Sequence, residues 1–185
     1  TSIGEGAFAG CSNLTTIIVP NSITSIGNGA FYDCSGLTSV TILCSPTSIG
    51  QGLFEKCNNL KEITFDCDMV IPLFAYCVEN VVMTKKVKSI SDYAFESYSN
   101  LKSVELPNSI TSLGNGAFNA CTNLSTINIP NDVISIGEYA FGDCTNLTSI
   151  IIPNSVTSIG ESAFFRCCSL VSAEISNSIT FIANY

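Results

Sequence analysis

LTTIIVPNSITSIGNGAF, residues 14–31, is followed by Tyr32-Asp33-Cys34-Ser35-Gly36 and then by Leu37, where nearly the same text begins again. Apolar side chains stand at Leu14, Ile17, Val19, Ile23, Ile26, Phe31 and Cys34. The ladder returns as Leu124, Ile127, Ile129, Val133, Ile136, Phe141 and Cys144, and again from Leu147 to Phe164. Working outward, the phenylalanines Phe8, Phe31, Phe54, Phe74, Phe95, Phe118, Phe141 and Phe164 follow each other at gaps of 23, 23, 20, 21, 23, 23 and 23 residues. A fixed period between about twenty and fifty residues marks a solenoid, in which each coil buries its apolar face against the next.

Each coil can be read locally. In Thr16-Ile17-Ile18-Val19 the inward residues sit two apart and β-branched types dominate, which is strand periodicity. Pro20 cannot donate to a ladder and Asn21-Ser22 favour a turn, so the strand ends there. Ile23 to Gly27 reads as a second, shorter extended piece. Ala30, Phe31 and Cys34 lie at i, i+1 and i+4, which suits about one helical turn. The expected fold is therefore an α/β repeat solenoid of about eight coils of roughly 23 residues, with one parallel strand per coil and short helical turns on the outer side.

The period slips in the middle, at 66–90. Phe74 to Val78 is four residues where Phe31 to Leu37 is six, and Met69 to Phe74 is five where Ile23 to Phe31 is eight. This reads as one shortened coil on each side of Cys77, the earlier one having lost its Ile-Gly piece. No Gly/Ser/Pro-rich linker interrupts the run, so 1–185 is expected to be a single domain. The chain opens at Thr1-Ser2-Ile3-Gly4 and stops at Ala183-Asn184-Tyr185, both in mid-coil, as a piece of a longer repeat array would. No signal peptide opens it, and in such a piece that says nothing of the compartment.

Composition narrows the function. At 185 residues with 46% hydrophobic content a continuous core is easily supplied. Mean hydropathy is positive, yet no apolar run approaches the ~18 residues of a spanning helix. With a net charge of −8 and only 7 basic residues, nucleic acid and anionic membranes are poor partners. With no histidine, Ser-His and Cys-His nucleophiles are impossible, no carboxylate pair is singled out, and no catalytic residue, cofactor or metal site is expected. Asp66-Cys67-Asp68 lacks the further oxygen ligands a hard cation needs.

The 10 cysteines invite a disulfide or zinc reading. Seven of them, Cys11, Cys34, Cys57, Cys77, Cys121, Cys144 and Cys167, hold the position three residues after the phenylalanine, where Tyr98 stands in the remaining full coil. A tyrosine can fill the space of a thiol but cannot replace a bridging one, so the column reads as buried packing. Any bridge would fall to Cys44, Cys67 or Cys168, outside the column. The Gly-x-Gly pieces read as turns needing positive φ, not as phosphate loops. Asn13, Asn59, Asn100, Asn123 and Asn146 precede the ladder leucines. Three of them form glycosylation sequons, but a column of asparagines bonding neighbouring backbone explains them all.

The pattern L-x-x-[IV]-x-[IV]-P-N-S-[IV]-x-x-[IL]-G-x-x-A-F-x-x-C-x-N-L resembles the BspA-like class of leucine-rich repeats. It is carried by Leu14 to Leu37, Leu101 to Leu124, Leu124 to Leu147 and Leu147 to Leu170. Departures are Pro46 in a core slot, Ser91 and Ala183 for glycine, and Tyr98 for cysteine. The resemblance implies a non-enzymatic, adhesin-like module of a secreted or cell-surface protein that binds a protein or glycan, such as host matrix or another cell surface. A spacer segment with no ligand of its own is the alternative. The outward strand positions are mostly small and hydroxylated, without aromatic or arginine anchors. The expected binding surface lies where the repeat is broken, at Glu62, Thr64, Asn80, Val82, Ser103 and Glu105, together with the basic turn Lys85, Lys86 and Lys88. Those lysines either contact an acidic partner or offset neighbouring acids.

Overall fold

The computed structural model describes residues 1–182. Each coil carries two extended pieces, numbered here in chain order. The first of each pair is β2 (Thr16–Val19), β4 (Ser39–Ile42), β6 (Glu62–Phe65), β8 (Asn80–Met83), β10 (Ser103–Val104), β12 (Thr126–Ile127), β14 (Ser149–Ile151) or β16 (Ser172–Glu174). The second is β1 (Ser2–Ile3), β3 (Ser25–Ile26), β5 (Ser48–Ile49), β7 (Met69–Val70), β9 (Ser89–Ile90), β11 (Ser112–Leu113), β13 (Ser135–Ile136), β15 (Ser158–Ile159) or β17 (Phe181–Ile182). Every pairing is parallel and joins equivalent residues of adjacent coils, as in Ile17 with Val40 and Val40 with Ile63. Alternation sends Val40, Ile42, Ile63 and Phe65 into the core and leaves Ser39, Thr41, Glu62 and Thr64 on the outer face. Pro46, in an isoleucine slot, is buried.

The two faces are interrupted at different levels. On the first, β2-β4-β6-β8, β10-β12 and β14-β16 are separate sheets; on the second, β1-β3-β5 is separate from β7-β9-β11-β13-β15-β17. Where β8 and β10 are unpaired, β9 pairs β11; where β12 and β14 are unpaired, β13 pairs β15; where β5 and β7 are unpaired, β4 pairs β6.

No helix forms among the described residues, and the expected helical turn is replaced by two tight turns. In an α-helix every N–H donates four residues back. Here the donors alternate: Gly29, Phe31 and Asp33 donate forward to the Gln51, Leu53 and Glu55 carbonyls of the next coil (2.9, 3.1 and 2.8 Å), while Tyr32 donates to Gly29 at 2.9 Å. Every fourth residue takes the left-handed region, Gly29 at φ 54° and Asp33 at φ 55°, Tyr139 at φ 51° and Asp143 at φ 53°, which a right-handed helix cannot pass. On the strand side the sense is reversed, with Thr24 and Gly27 donating back to Thr1 and Ile3 at 2.8 Å each. Positive φ explains only the second glycine of each Gly-x-Gly. The first, at Gly27, Gly50 and Gly114, is needed because a Cβ would crowd the backbone of the preceding coil, lying 2.5 Å from the Asp92 amide nitrogen in the case of Gly114.

The irregularity lies in a single coil, not in two. Paired Ile63 and Val81 are 18 residues apart, against 23 for Ile17 and Val40. The extended piece expected to be missing is present as β7, paired with β9. Two residues are lost between Phe65 and Val70 and three between Val70 and Val78, by alignment with Val19, Ile26 and Leu37. The second loss turns Phe74 out of the phenylalanine column. It adopts φ 55° and is only half-buried, while Leu73 and Ala75 fill the core. The rings stack from Phe8 through Phe31 to Phe54 at 5.4 and 5.3 Å, and again from Phe95 through Phe118 and Phe141 to Phe164 at 5.2, 5.4 and 5.4 Å. Tyr98 bridges the gap. Fully buried, it meets Phe95 edge-on at 5.3 Å, and its hydroxyl accepts the Ala75 N–H at 3.3 Å. The expected exchange of Ala183 for glycine lies outside the described residues.

The cysteine column does more than fill space. Cys34, Cys57, Cys121, Cys144 and Cys167 each donate their thiol to the carbonyl of the preceding coil's phenylalanine, at 3.0–3.1 Å. Burial pushes the Cys57 thiol up to about 11 and Cys121 to about 12, so both stay protonated as donors. All ten thiols are unbridged. Three of the five column asparagines bond neighbouring backbone as expected, Asn59 Nδ2 donating to Ser35 at 2.7 Å, Asn123 Nδ2 to Ser99 at 2.6 Å and Asn100 Nδ2 to Cys77 at 3.4 Å, while Asn146 Nδ2 donates to the Asn123 side chain at 3.2 Å.

Candidate functional site

Alternation along β6, β8 and β10 decides which side chains face outward, and the break between β8 and β10 decides where they surround a space. β8 and β10 lie side by side without a ladder between them. A cavity of about 380 Å³ opens at this break, lined by Glu62 of β6, Asn80 to Met83 of β8, and Ser103 to Glu105. The structure thus brings together Glu62, Asn80, Val82, Ser103 and Glu105. Thr64 stays on the same face, paired with Val82, but does not line the cavity.

The expected basic turn is placed elsewhere. Lys85, Lys86 and Lys88 follow β8, are exposed, and do not reach the cavity. Lys86 Nζ is paired with Asp66 Oδ2 at 2.7 Å, and Thr84 Oγ1 donates to Asp66 Oδ1 at 2.7 Å. Hydrogen bonds from Lys86 and then Thr84 hold the Asp66 carboxyl below its usual range. Lys61 and Glu79 form a further exposed ion pair, which raises the lysine and lowers the carboxylate. Offsetting of acids therefore accounts for Lys86. Asp66 is spent on these partners and Cys67 Sγ donates to the Met69 carbonyl at 3.3 Å, so the Asp-Cys-Asp stretch does not converge. Among the described residues no group of three His, Cys, Asp or Glu side chains could hold a metal ion.

Val81, Met83 and Val104 also line the cavity and went unread in the sequence. Their alternation is that of ordinary core residues, and only the loss of pairing between β8 and β10 uncovers their edges. No length change in the chain marks that break, nor the one between β12 and β14.

The cavity's polar groups are carboxylate, amide and hydroxyl, set around the exposed Val82. Such a surface presents acceptors to a ligand's N–H or O–H groups and a small apolar contact. Among the described residues, no helix is long and apolar enough to cross a membrane.

Comparison with solved structures finds the same architecture in bacterial proteins. A leucine-rich repeat protein from Bacteroides ovatus ATCC 8483 superposes with a TM-score of 0.70 at 28% identity, over 99% of this chain and 45% of that one. The chain thus spans about half the length of that protein. The T. pallidum leucine-rich repeat protein matches with a TM-score of 0.62 at 24% identity, over 90% of this chain and 72% of its own. A leucine rich cell surface protein from Faecalibacterium prausnitzii A2-165 matches with a TM-score of 0.50 at 28% identity, covering 97% and 66%. A comparison with curated proteins gave no match. The family model for the BspA type leucine rich repeat region matches six copies over residues 1–71 and 72–185. With its repeat, parallel ladders and phenylalanine column accounted for, the chain belongs to the BspA-type leucine-rich repeat family.

Proposed function

We propose that this chain is a non-enzymatic recognition module of a secreted or cell-surface protein, taking a protein or glycan ligand in the groove between β8 and β10. The observation that carries this reading is the cavity of about 380 Å³ at the break in the first face, where Glu62, Asn80, Ser103 and Glu105 surround Val82. Elsewhere the outward positions are mostly small and hydroxylated, such as Ser39, Thr41, Thr126 and Ser149, with Ile18 and Ile151 the exposed apolar exceptions. They offer little energy per contact, so affinity rests on the groove and on several coils engaging together. The F. prausnitzii neighbour's description as a cell surface protein supports the location.

That same blandness favours a second reading, a spacer without a ligand. One experiment separates them: capture of residues 1–185 on matrix proteins and a glycan panel, beside a Glu62→Gln/Val82→Ser/Glu105→Gln variant. A ligand held by the parent and weakened at least tenfold by the variant is expected. A ligand held equally well by both places the contact outside the groove, and no ligand on either panel favours the spacer. A Lys85/Lys86/Lys88 triple alanine variant, assayed at low and moderate salt, should bind as the parent does, because Lys86 is already paired with Asp66.

A further inference from the structure

The five-residue loss leaves a second mark, on the turn side of the coil. Phe74, expelled from the stack, and Tyr76, 49% exposed, stand with Glu55, Gln51 and Gly52 around a cavity of about 330 Å³. Two other rings on this side carry one of the protein's own cations, whereas Tyr93 and Tyr139 are exposed without one among the described residues. Lys56 Nζ lies 4.9 Å from the Tyr32 ring centroid, and the Arg166 guanidinium carbon 5.6 Å from that of Phe165. Among the described residues no lysine or arginine lies over Phe74 or Tyr76, although Glu55 stands beside them.

We propose that this cavity binds a cationic side chain of a partner, an arginine guanidinium presented by a peptide, laid on the Phe74 and Tyr76 rings with Glu55 as its counter-charge. Aromatic faces attract cations, most strongly those with a thin hydration shell. The guanidinium is planar, weakly hydrated and able to stack while donating in the ring plane. Glu55 and the side-chain carbonyl of Gln51 supply acceptors, which a quaternary ammonium, having no N–H, could not use. Gly52 has no side chain to crowd the carboxylate, and a Cβ added there would lie 3.1 Å from Glu55 Oε2. The net charge of −8 enriches cations around the whole molecule, and the rings choose among them. The site is independent of the groove between β8 and β10, so a ligandless groove leaves it standing.

The test is a titration of isotope-labelled protein with N-acetyl-arginine methylamide, followed by amide chemical shifts. The citrulline counterpart, a neutral isostere, and tetramethylammonium are run beside it. The arginine compound should move the amides of residues 51–55 and 74–76 saturably, and citrulline should leave them in place. Tetramethylammonium should bind at least about fivefold more weakly, as should arginine to Glu55→Gln, a factor that corresponds to about 1 kcal/mol. Phe74→Leu/Tyr76→Leu should abolish the response. If that variant loses its fold, Glu55→Gln and the citrulline arm decide. Equal shifts from citrulline, equal binding of tetramethylammonium, shifts spread over the whole acidic surface, or undiminished binding to Glu55→Gln would each overturn the proposal.

Discussion

Cys121 shows how a repeat position acquires its residue. Its thiol donates to the Phe95 carbonyl at 3.0 Å in a fully buried site, so a small apolar side chain and a donor are needed together. Cys121→Ala should lose about 0.5–1.5 kcal/mol in urea unfolding, because the Phe95 carbonyl keeps the Tyr98 N–H at 3.2 Å and loses only its second donor. Cys121→Ser, which keeps a donor, should lose less. A loss below ~0.5 kcal/mol for alanine, under the usual contribution of one hydrogen bond, would reduce the thiol to filling. The same site has a pH signature. The folded thiol is raised to about 12 from an ordinary value of 9.0, so the unfolded chain releases its proton first. The contribution is therefore complete below pH 9.0 and is lost as pH rises toward 12. The slope is about 1.4 kcal/mol per pH unit per thiol. Unfolding midpoints at pH 7, 8 and 10.5 should be level across the first interval and fall across the second, less steeply in Cys121→Ser.

At the scale of the element, the shortened coil and Tyr98 form one unit. The coil has withdrawn Phe74 from the core, and the next coil supplies a buried ring whose hydroxyl accepts the Ala75 N–H. Tyr98→Cys, which restores the residue of the other coils, should nevertheless destabilise by about 3–5 kcal/mol, as a ring-sized cavity opens. Tyr98→Phe keeps the ring and should cost about 1–3 kcal/mol for the unpaired N–H. A cysteine variant as stable as its parent would show that the gap closes without the ring. The sequence spacing showed that five residues are missing but misplaced two of them, which fall between Phe65 and Val70 and not between Phe74 and Val78; Leu73, Phe74 and Ala75 are all apolar, and spacing does not say which turns inward. The helical turn was misread for a related reason. Apolar residues at i, i+1 and i+4 fit one helical turn and two tight turns equally well, and only the destination of each N–H separates them. The outward strand residues of the groove were legible because alternation has a period of two. The groove was not, because it depends on a ladder that fails to form between chemically ordinary strands.

At the scale of the whole molecule, the breaks in the two faces never coincide among the described residues, so at every level there where one face is unpaired the other holds the coils together. We propose that the coils consequently unfold as one unit in spite of the shortened coil. Urea transitions followed by far-ultraviolet dichroism and by tyrosine fluorescence should coincide, with β6, β7 and β8 exchanging their amide hydrogens no faster than β12 and β13. An earlier transition confined to 66–88 would show that the short coil is a seam. The alternation of hydrogen-bond sense has a further effect at this scale. Thr24 and Gly27 point their N–H groups toward the preceding coil, while Gly29, Phe31 and Asp33 point theirs toward the following one. In an α-helix all peptide dipoles align, leaving about half a charge at each end. Here the connecting peptides on opposite sides of a coil oppose each other, so their dipoles cancel within the coil. Adding coils therefore does not align every peptide dipole as lengthening a helix does, which lowers the electrostatic penalty of extending a stack of these repeats.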